Sequence, residues 1–372
     1  MHLLDMFVQA WYNAVLPLIV LLLLISIRRS SYTSLGHFTI LSGLGGFSAI
    51  FFALLFSQMI GGRVSCNLAI HGLAWYGSFF LFASAFLMYR QKGKNDKLRR
   101  IFPMLVLLFG FISCGIAVNT LLYEPTALVI KETTMATPKI SMPMTIVFCS
   151  DMQADRIGSY ERWTLQKIKE QNADLILFGG DYFQTRSVRD TEGILADWNR
   201  LFREIDLQAP LGIYAVQGNF DLWQHWETMF TGTAIIPQET TVTKEIGEIR
   251  ITFLSLNDSS MKRSTPDEYR ADKFRIIVGH RPIYVMAEQE ADLLLAGHTH
   301  GGQVQIPFRG PIVTASEDLP KNWATGKTIM PNGATLIVSH GTGLERGIAP
   351  RIRFWCRPDI WVIRLVPAEA KR

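Results

Sequence analysis

The first third of the chain consists of four long apolar stretches, at about residues 6–27, 39–60, 68–89 and 101–123. Each is long enough to cross the ~30 Å hydrocarbon core of a bilayer as an α-helix. One such stretch could be a buried helix of a soluble protein, but four in succession, with almost no charge inside them, are typical of a membrane domain. The sequence therefore predicts an all-α, four-helix transmembrane anchor over residues 1–123 and a multi-pass protein of the cell membrane.

The charged residues between these stretches predict their orientation. Arg28 and Arg29 follow the first stretch, and six Lys or Arg residues follow the third, in the segment RQKGKNDKLRR. The loop between the second and third stretches carries only Arg63. Because loops rich in Lys and Arg stay in the cytoplasm, both chain termini and everything after residue 123 are expected to lie outside it. If one stretch lies in the membrane surface and does not span, this orientation is reversed.

The distribution of charge argues against nucleic acid as a partner. The whole chain carries a net charge of +5 and residues 1–123 carry +7, so residues 124–372 carry −2. A nucleic-acid-binding protein normally concentrates basic charge on its folded domain. The basic character of this chain belongs to the predicted membrane segment instead, and we expect no nucleic-acid binding.

Beyond residue 123 the long apolar stretches give way to short ones. Residues 124–144 contain Pro and Thr and only a weak β-like run, which predicts a linker. Six short apolar runs follow, each ending in a polar residue: MTIVFCSD, ADLILFGGD, LGIYAVQGN, FRIIVGH, ADLLLAGH and TLIVSHG. The segment YERWTLQKIKEQN has the apolar spacing of an amphipathic helix. This alternation predicts an α/β domain over residues 145–366, followed by a short tail at 367–372.

Five of these runs end in side chains that are able to bind a metal ion. The candidate ligands are Asp151, Gln153, Asp181, Asn219, His280, His298 and His300. In open α/β sheets, functional sites form outside the carboxyl ends of the strands, so these side chains are expected at one edge of the domain. Each residue alone has a structural explanation, such as a helix cap or a turn. Their joint occurrence at successive strand ends instead predicts a metal site.

The order of these motifs resembles the calcineurin-like metallophosphoesterase family. The chain reads D-x-Q, G-G-D, G-N-F-D, G-H-R-P and G-H-T-H-G-G-Q where that family has D-x-H, G-D, G-N-H-D/E, a lone His and G-H-x-H. The segment SHGTGLERGIAPRIRFWCRPDI is similar to the end of a bacterial branch that includes members with membrane or export segments. The resemblance, over residues 145–366, implies a four-layer αββα sandwich with two divalent metal ions at the sheet edge.

The roles known in the family carry over by position. The first metal would be held by Asp151, Gln153, Asp181 and His300, and the second would be completed by Asn219, His280 and His298, with Asp181 shared between them. The resemblance implies that metal-activated hydroxide attacks phosphorus while Asn219 and His298 stabilise the transition state. It therefore implies a metal-dependent hydrolase of phosphoric ester or diphosphate bonds.

Two positions depart from the family pattern. Gln153 stands where the family has a His, and its amide oxygen is a neutral, harder ligand, so manganese is expected in preference to zinc or iron. Phe220 stands where the family has the His that serves the leaving group as an acid. Loss of such an acid costs about 10²–10⁴-fold in rate. The loss matters little when the leaving group is already a weak base, such as a phosphate released from a diphosphate.

Two neighbours could replace the missing histidine. His225 and Arg281 are the candidates, although each is also explained as an ordinary surface residue. Three aromatic residues, Trp223, Trp226 and Phe230, follow the G-N-F-D motif at helical spacing. Core packing is the default interpretation of that spacing, and a membrane-facing lip that admits lipid is the alternative.

The expected function is hydrolysis of a phosphodiester or diphosphate bond in a lipid or envelope substrate at the outer face of the cell membrane. One alternative resembles the lipid A pathway hydrolases that split UDP-diacylglucosamine, and it requires a cytoplasmic catalytic domain. The other is a non-catalytic relic that binds metal as a sensor or scaffold, to which only Gln153 and Phe220 point. The sequence leaves open the substrate, the oligomeric state and the protein partners.

Reporters fused after Arg372 distinguish the two orientations. With the C-terminus outside the cytoplasm, a fused alkaline phosphatase is active and a fused green fluorescent protein is dark, because alkaline phosphatase folds only where its disulfides form. Enzyme activity and fluorescence of bacterial cells measure the two signals. Deletion of the first apolar stretch is the control, since it should exchange them. Fluorescence without phosphatase activity from the undeleted chain would place the domain in the cytoplasm.

Overall fold

The computed structural model describes residues 77–78, 81–86, 89, 97–185, 188–222, 225–265, 272–316, 318–345 and 351–368. The chain divides into two compact units. One comprises residues 1–123 with 346–351, and the other comprises residues 124–345 with 352–372. The two units are described separately.

The first unit contains one long apolar helix among its described residues. Helix α1 spans Lys97–Val118, and a π-helical turn, Asn119–Tyr123, follows it. The run Ile101–Thr126 has a mean hydropathy of 2.5 and is the one candidate for a membrane-crossing helix in the described part of the chain. The fourth predicted stretch is therefore a helix of membrane-crossing length. The first two stretches and most of the third lie outside the described residues, so the four-helix anchor stays a prediction.

The second unit is built on two mixed six-stranded sheets. The first has the order β1 (Val129–Thr137), β14 (Asp359–Pro367), β2 (Met144–Cys149), β3 (Leu175–Phe178), β4 (Ile213–Val216) and β5 (Ile235–Gln238). The second has the order β12 (Gly326–Ile329), β13 (Thr335–Val338), β9 (Leu293–Ala296), β8 (Phe274–Val278), β7 (Ile249–Phe253) and β6 (Val242–Ile246). A two-stranded ribbon pairs β10 (Gln305–Ile306) with β11 (Gly310–Pro311).

Helices of different lengths cover the outer faces of the sheets. The α-helices are α2 (Ser159–Lys169), α3 (Val188–Ile205) and the short α4 (Leu256–Ser259). Single 3₁₀ turns lie at Glu124–Thr126, Trp226–Phe230, Pro282–Met286, His300–Gly302 and Lys321–Trp323. All six predicted apolar runs form strands, and the predicted amphipathic helix is α2, so the α/β prediction is confirmed.

Alternation along the strands places the core on both sides of the first sheet. In β2, Ile146 and Phe148 face the second sheet and pack with residues such as Phe253. Val147 and Cys149 point the other way, into the cluster formed with α2 and α3. This period of two is expected for a strand that is buried on both faces. A third cluster lies on the outer face of the second sheet, which short helices and loops cover.

The predicted linker at residues 124–144 is wrong, because it contains strand β1. This strand pairs in parallel with β14, from Val129 opposite Asp359 to Thr137 opposite Pro367. As the edge strand of its sheet it carries Lys, Glu and Thr, which hides the apolar alternation by which strands are recognised. Its partner lies more than two hundred residues later in the sequence, so local pattern alone did not reveal the pairing.

Two of the three aromatic residues after the G-N-F-D motif belong to the core. Trp226 and Phe230 expose 2% and 3% of their surface. The ring of Tyr182 stacks on Trp226 at a centroid distance of 5.7 Å and meets the ring of Phe230 edge-on at 5.3 Å. These two residues therefore do not form a membrane-facing lip. Trp223, the third residue of the group, lies outside the described residues.

Replacing Trp226 with Ala should lower the free energy of unfolding by about 3–5 kcal/mol, because it empties a fully packed aromatic site. Urea unfolding of the detergent-solubilised chain, followed by circular dichroism, measures the change. The control is Trp163→Ala on α2, which removes a side chain that is already more than one-third exposed. A Trp226 variant as stable as the control would contradict the core assignment.

Candidate metal centre

The candidate ligands lie just beyond the carboxyl ends of five strands. Asp151 follows β2 and Asp181 follows β3, while Asn219 follows β4 in the same sheet. His280 and His298 follow β8 and β9 of the second sheet. The two sheets pack face to face, so their parallel strands deliver these side chains to one edge of the domain. The predicted location is therefore where the structure places them.

Four residues surround one point at this edge. Ligand atoms of Asp181, His280 and His298 all lie within 4.8 Å of one another. Nε2 of His280 is 3.3 Å from Oδ2 of Asp181 and 3.1 Å from Oδ1 of Asn219. The structure thus brings together the four residues that the sequence assigned to the second metal, including the shared carboxylate.

The remaining candidates adjoin the same carboxylates. Nε2 of His300 is 3.5 Å from Oδ1 of Asp151. The amide nitrogen of Gln153 lies 3.3 Å from Oδ2 of Asp181. Rotation of the terminal amide exchanges its nitrogen and oxygen, so Gln153 can present an oxygen to a cation from this position. These four residues match the set that the sequence assigned to the first metal.

The orientation of His280 is determined by a main-chain contact. Its Nδ1–H donates to the carbonyl oxygen of Gly179 at 2.8 Å. This bond leaves Nε2 directed at Asp181 and Asn219, and such second-sphere bonds are the usual way in which a metal-binding imidazole is held. The imidazole is fully buried, so it has no alternative partner in water.

Two buried carboxylates at this edge have imidazoles, and no Lys or Arg among the described residues, as ion-pair partners. Asp151 and Asp181 expose 0% and 1% of their surface, and neither forms an ion pair with Lys or Arg among the described residues. Among the described residues, no hydrogen-bond partner is found for three buried ring nitrogens: Nδ1 of His298 and both nitrogens of His300. Because buried charges and lone pairs are costly unless compensated, this donor set fits divalent metal ions.

The pKa values describe a site that attracts positive charge. Burial lowers the pKa of His280, but Asp181 outweighs it and raises the pKa to about 9. Burial opposes the ionisation of Asp181 as well, yet His280 lowers the pKa of that carboxyl to about 2. Burial lowers the pKa of His300 to about 3 and that of His298 well below its ordinary value. These last two rings are therefore neutral at pH 7, the form that binds metal.

The backbone is strained at the candidate ligands. Asp151, Gln153, Asp181, His298 and His300 have φ angles of 51°, 38°, 58°, 69° and 49°. Non-glycine residues adopt this left-handed region rarely and at a cost of about 1–3 kcal/mol each. Such strain clusters at functional sites, where the surrounding structure holds it in place. The sequence carried no sign of this feature.

Asp221 ties two of the ligand loops together. Its buried carboxylate accepts hydrogen bonds from the backbone N–H groups of Gly218, Asp181 and Tyr182, at 2.8, 2.7 and 3.0 Å. A Cβ atom at Gly218 would collide with Asp181, so only glycine allows this approach. In the sequence Asp221 is only the last residue of the G-N-F-D motif, whereas in the structure its hydrogen bonds position the shared carboxylate.

Glu345 is a residue of the site that sequence reasoning missed. One of its carboxylate oxygens lies 3.4 Å from the amide nitrogen of Gln153, and the other accepts from Gln184 at 2.8 Å. Its backbone N–H donates to Oε1 of Gln303 at 2.9 Å. Glu345 therefore adds a third carboxylate beside the first set of candidate ligands. No strand precedes it directly, so the pattern of strand-end ligands did not include it.

The two candidates to replace the missing histidine differ in position. The His225 side chain is largely exposed and pairs with Glu227 at 3.3 Å. The Arg281 guanidinium lies close enough to His298 to help burial lower the pKa of that imidazole. Nε of Arg281 is buried without a hydrogen-bond partner among the described residues. Of the two, Arg281 is the one that the structure places beside the cluster.

Comparison with known proteins agrees with this geometry. Residues 144–302 match the family model of the calcineurin-like phosphoesterases, a range that includes all seven candidate ligands. This part of the chain is therefore similar to the calcineurin-like phosphoesterases. The similarity supports a metal-dependent phosphoester hydrolase, as the resemblance implied. Glu345 lies outside the matched range.

Three bacterial proteins are similar to this chain. The uncharacterized metallophosphoesterase YkuE of Bacillus subtilis is 29% identical, over 53% of this chain and 70% of its own length. The Escherichia coli protein called phosphodiesterase YaeI is 28% identical, over 53% and 72%. An uncharacterized metallophosphoesterase of Helicobacter pylori is 24% identical over 91% of each chain, so its alignment extends well into the first third.

Removal of the Glu345 carboxylate should weaken metal binding. We expect Glu345→Ala to lower the affinity of one of two sites for Mn²⁺ by about tenfold or more, as loss of a second-sphere carboxylate does elsewhere. Isothermal titration of Mn²⁺ into the metal-stripped full chain measures this affinity. The control is Glu170→Gln, which changes the same charge on an exposed side chain. Equal affinities in both variants would show that Glu345 does not act on the metal.

Proposed function

We propose that this protein hydrolyses a phosphodiester or diphosphate bond in a lipid-borne or envelope substrate at the membrane surface. The proposal depends on one observation above all: two buried carboxylates, the buried imidazoles of His280 and His300 and the half-buried imidazole of His298 meet at the sheet edge. Among the described residues, no Lys or Arg forms an ion pair with either carboxylate. Two divalent cations, with manganese favoured over zinc or iron, would satisfy this donor set.

The proposed roles of the ligands follow from their neighbours. Asp151, Gln153, Asp181 and His300 would hold one cation, and Asp181, Asn219, His280 and His298 the other. When bound, the two cations would supply hydroxide near neutral pH and neutralise charge on the phosphoryl group. The strained backbone and the Asp221 hydrogen bonds hold these side chains in position beforehand, so little reorganisation accompanies the reaction.

Three side chains of this edge would contact the phosphoryl group itself. His298 is neutral at pH 7 and the Arg281 guanidinium lies beside it. A guanidinium matches the geometry of phosphate oxygens and keeps its charge at any physiological pH. Asn219 offers an amide in the same cluster. We therefore assign phosphoryl binding to Arg281, Asn219 and His298.

The leaving group decides the class of substrate. Phe220 belongs to the site, because its backbone N–H donates to Oδ1 of Asp181 at 2.8 Å. Its side chain has no proton to give to a leaving group. An alkoxide leaving group needs such a proton, whereas a phosphate released from a diphosphate does not. This favours a diphosphate or another activated diester over a simple phosphomonoester.

A lipid-borne substrate is proposed from the apolar helix α1. A chain that carries such a helix next to its catalytic domain works close to the bilayer. The side of the membrane depends on the apolar stretches outside the described residues. The extracytoplasmic location and the cytoplasmic UDP-diacylglucosamine alternative are therefore both still predictions. The assembled ligand set favours an enzyme over the non-catalytic relic.

A metal-reconstitution assay tests this function directly. The full chain is stripped of metal, reloaded with Mn²⁺, Zn²⁺ or Mg²⁺, and assayed with bis-p-nitrophenyl phosphate, p-nitrophenyl phosphate and a lipid diphosphate. We expect Mn²⁺-dependent cleavage of the diester or the diphosphate, with poor turnover of the monoester. His298→Ala should reduce kcat at least about 10²-fold, the effect of removing one transition-state donor. Metal binding without turnover of any substrate would support the relic instead.

Restoring the histidine tests the explanation for Phe220. Phe220→His should raise the hydrolysis of an alkyl phosphodiester, which needs an acid, by about 10²-fold or more. It should change the hydrolysis of the diphosphate little, because that leaving group needs no proton. Phe220→Leu is the matched control for the change in packing. If both substrates respond equally, the missing acid does not determine the substrate class.

A further inference from the structure

A strip of exposed apolar side chains borders the candidate metal centre. It comprises Ile306, Phe308, Ile312, Val313 and Trp355, and we call it the apolar rim. Phe308 is fully exposed, and Val313 and Trp355 expose 68% and 61% of their surface. Large apolar side chains gathered in this way on a soluble surface mark a site of interaction.

Backbone contacts hold the rim together. The ribbon of β10 and β11 carries Ile306 on one strand and Phe308 at its turn. Val304, just before the ribbon, pairs in parallel with Phe354, and the N–H of Gln305 donates to the Phe354 carbonyl at 2.9 Å. Trp355 directly follows Phe354, so it lies level with the start of the ribbon.

The rim is continuous with the loop that carries His300. The side-chain amide of Gln305 donates to the carbonyl of Gly301 at 3.0 Å, and Sγ of Cys356 lies 3.3 Å from the carbonyl oxygen of His300. A Cβ atom at Gly302 would collide with the backbone of Val313. The rim therefore begins within a few residues of a candidate ligand, on the His300 side of the site.

The rim also adjoins the first residues of its own unit, which follow the apolar helix in the chain. The carboxylate of Glu124 accepts a hydrogen bond from the N–H of Cys356 at 2.6 Å. Nε of Arg357, the residue after Cys356, donates to the carbonyl of Ala127 at 2.7 Å. These two bonds flank the last residues of the apolar run Ile101–Thr126 and attach them to the segment that begins with Trp355. Trp355 therefore lies beside Glu124, the first residue of the second unit, which follows the apolar helix and its π-helical turn in the chain.

The two aromatic residues of the rim are held in an unusual conformation. Phe308 and Trp355 have φ angles of 65° and 54°. Bulky residues are true outliers in this left-handed region, so both positions store strain. Neither side chain gains burial within the domain in return. The strain thus serves to project two aromatic rings outward.

We propose that the apolar rim inserts into the interfacial layer of the lipid bilayer and thereby presents lipid phosphate groups to the metal centre. Aromatic side chains favour this layer, where ring and headgroup region meet. Three exposed basic residues lie next to members of the rim and are suited to anionic headgroups: Arg309 follows Phe308, Lys321 donates from Nζ to the carbonyl of Ile312, and Arg357 lies two residues after Trp355. Among the described residues, Asp318 is an exposed acidic residue close to them in the chain. This inference rests on the proposed function, for which it names the surface that admits the substrate.

The depth of a fluorophore in a lipid nanodisc tests the insertion. The full chain, with Cys66→Ser and Cys114→Ser, is labelled with NBD at Phe308→Cys or, as control, at Met142→Cys. Cys149 and Cys356 are fully buried and do not compete for the label. Met142 is 72% exposed but precedes β2, at the opposite end of the strand from Asp151. Lipids with a nitroxide near the headgroup serve as quenchers.

We expect the nitroxide lipid to quench position 308 several times more strongly than position 142, in discs that contain one copy of the chain. Equal quenching at both positions would overturn the inference. Quenching or a spectral shift at position 308 that requires two copies per disc would also overturn it, since the rim would then be covered by a second copy.

An activity measurement separates this inference from the proposed function. The variant with Phe308→Ser and Trp355→Ser should lose about tenfold or more of its turnover of a lipid diphosphate in bilayers, because each large apolar side chain contributes to interfacial binding. Its turnover of water-soluble bis-p-nitrophenyl phosphate should be unchanged. If variant and wild type turn over the lipid substrate equally, only the role of the rim is refuted, and the proposed function is not. Absence of activity in the wild type refutes the proposed function, while the quenching result still decides insertion.

Discussion

The burial of two carboxylates, Asp151 and Asp181, is the constraint on which the arrangement of this domain depends. Each lies at the end of a strand of the first sheet, and neither pairs with a Lys or Arg among the described residues. Charge at that depth persists only if cations or protons compensate it. The three imidazoles at the ends of the second sheet supply the remaining donors. The two sheets must therefore pack at the register that brings both sets of strand ends together.

The loops between strands and ligands are held more tightly than loops usually are. The N–H of Asp151 donates to the carbonyl of Gly180, and that of Gln153 donates to the carbonyl of Asp181, both at 2.9 Å. The carboxylate of Asp221 accepts three further hydrogen bonds from backbone N–H groups. These bonds maintain left-handed conformations that would otherwise relax. The strain is thereby converted into fixed positions for the ligands, which is the requirement for binding two cations a short distance apart.

The same loops connect the candidate metal centre to the residues at the end of the apolar run. The 3₁₀ turn at His300–Gly302 leads into the ribbon of β10 and β11, and Cys356 joins that turn to the segment after the apolar run. Strand β1, which the sequence pattern missed, extends from that segment into the first sheet. One continuous set of contacts thus links the end of the apolar run, the exposed rim and a candidate ligand.

The sequence by itself determined the α/β class, the six core strands, helix α2 and the seven candidate ligands, because strands and strand-end ligands leave a local pattern. Only the tertiary structure decided the strand within residues 124–144, the place of Glu345, the bonds made by Asp221 and the core position of Trp226. Each of these depends on a partner distant in sequence. The exposed rim belongs with them, since an apolar residue in the sequence is expected to be buried and only packing shows that it is not. Periodicity records which face of an element is apolar, whereas the three-dimensional packing decides what that face meets.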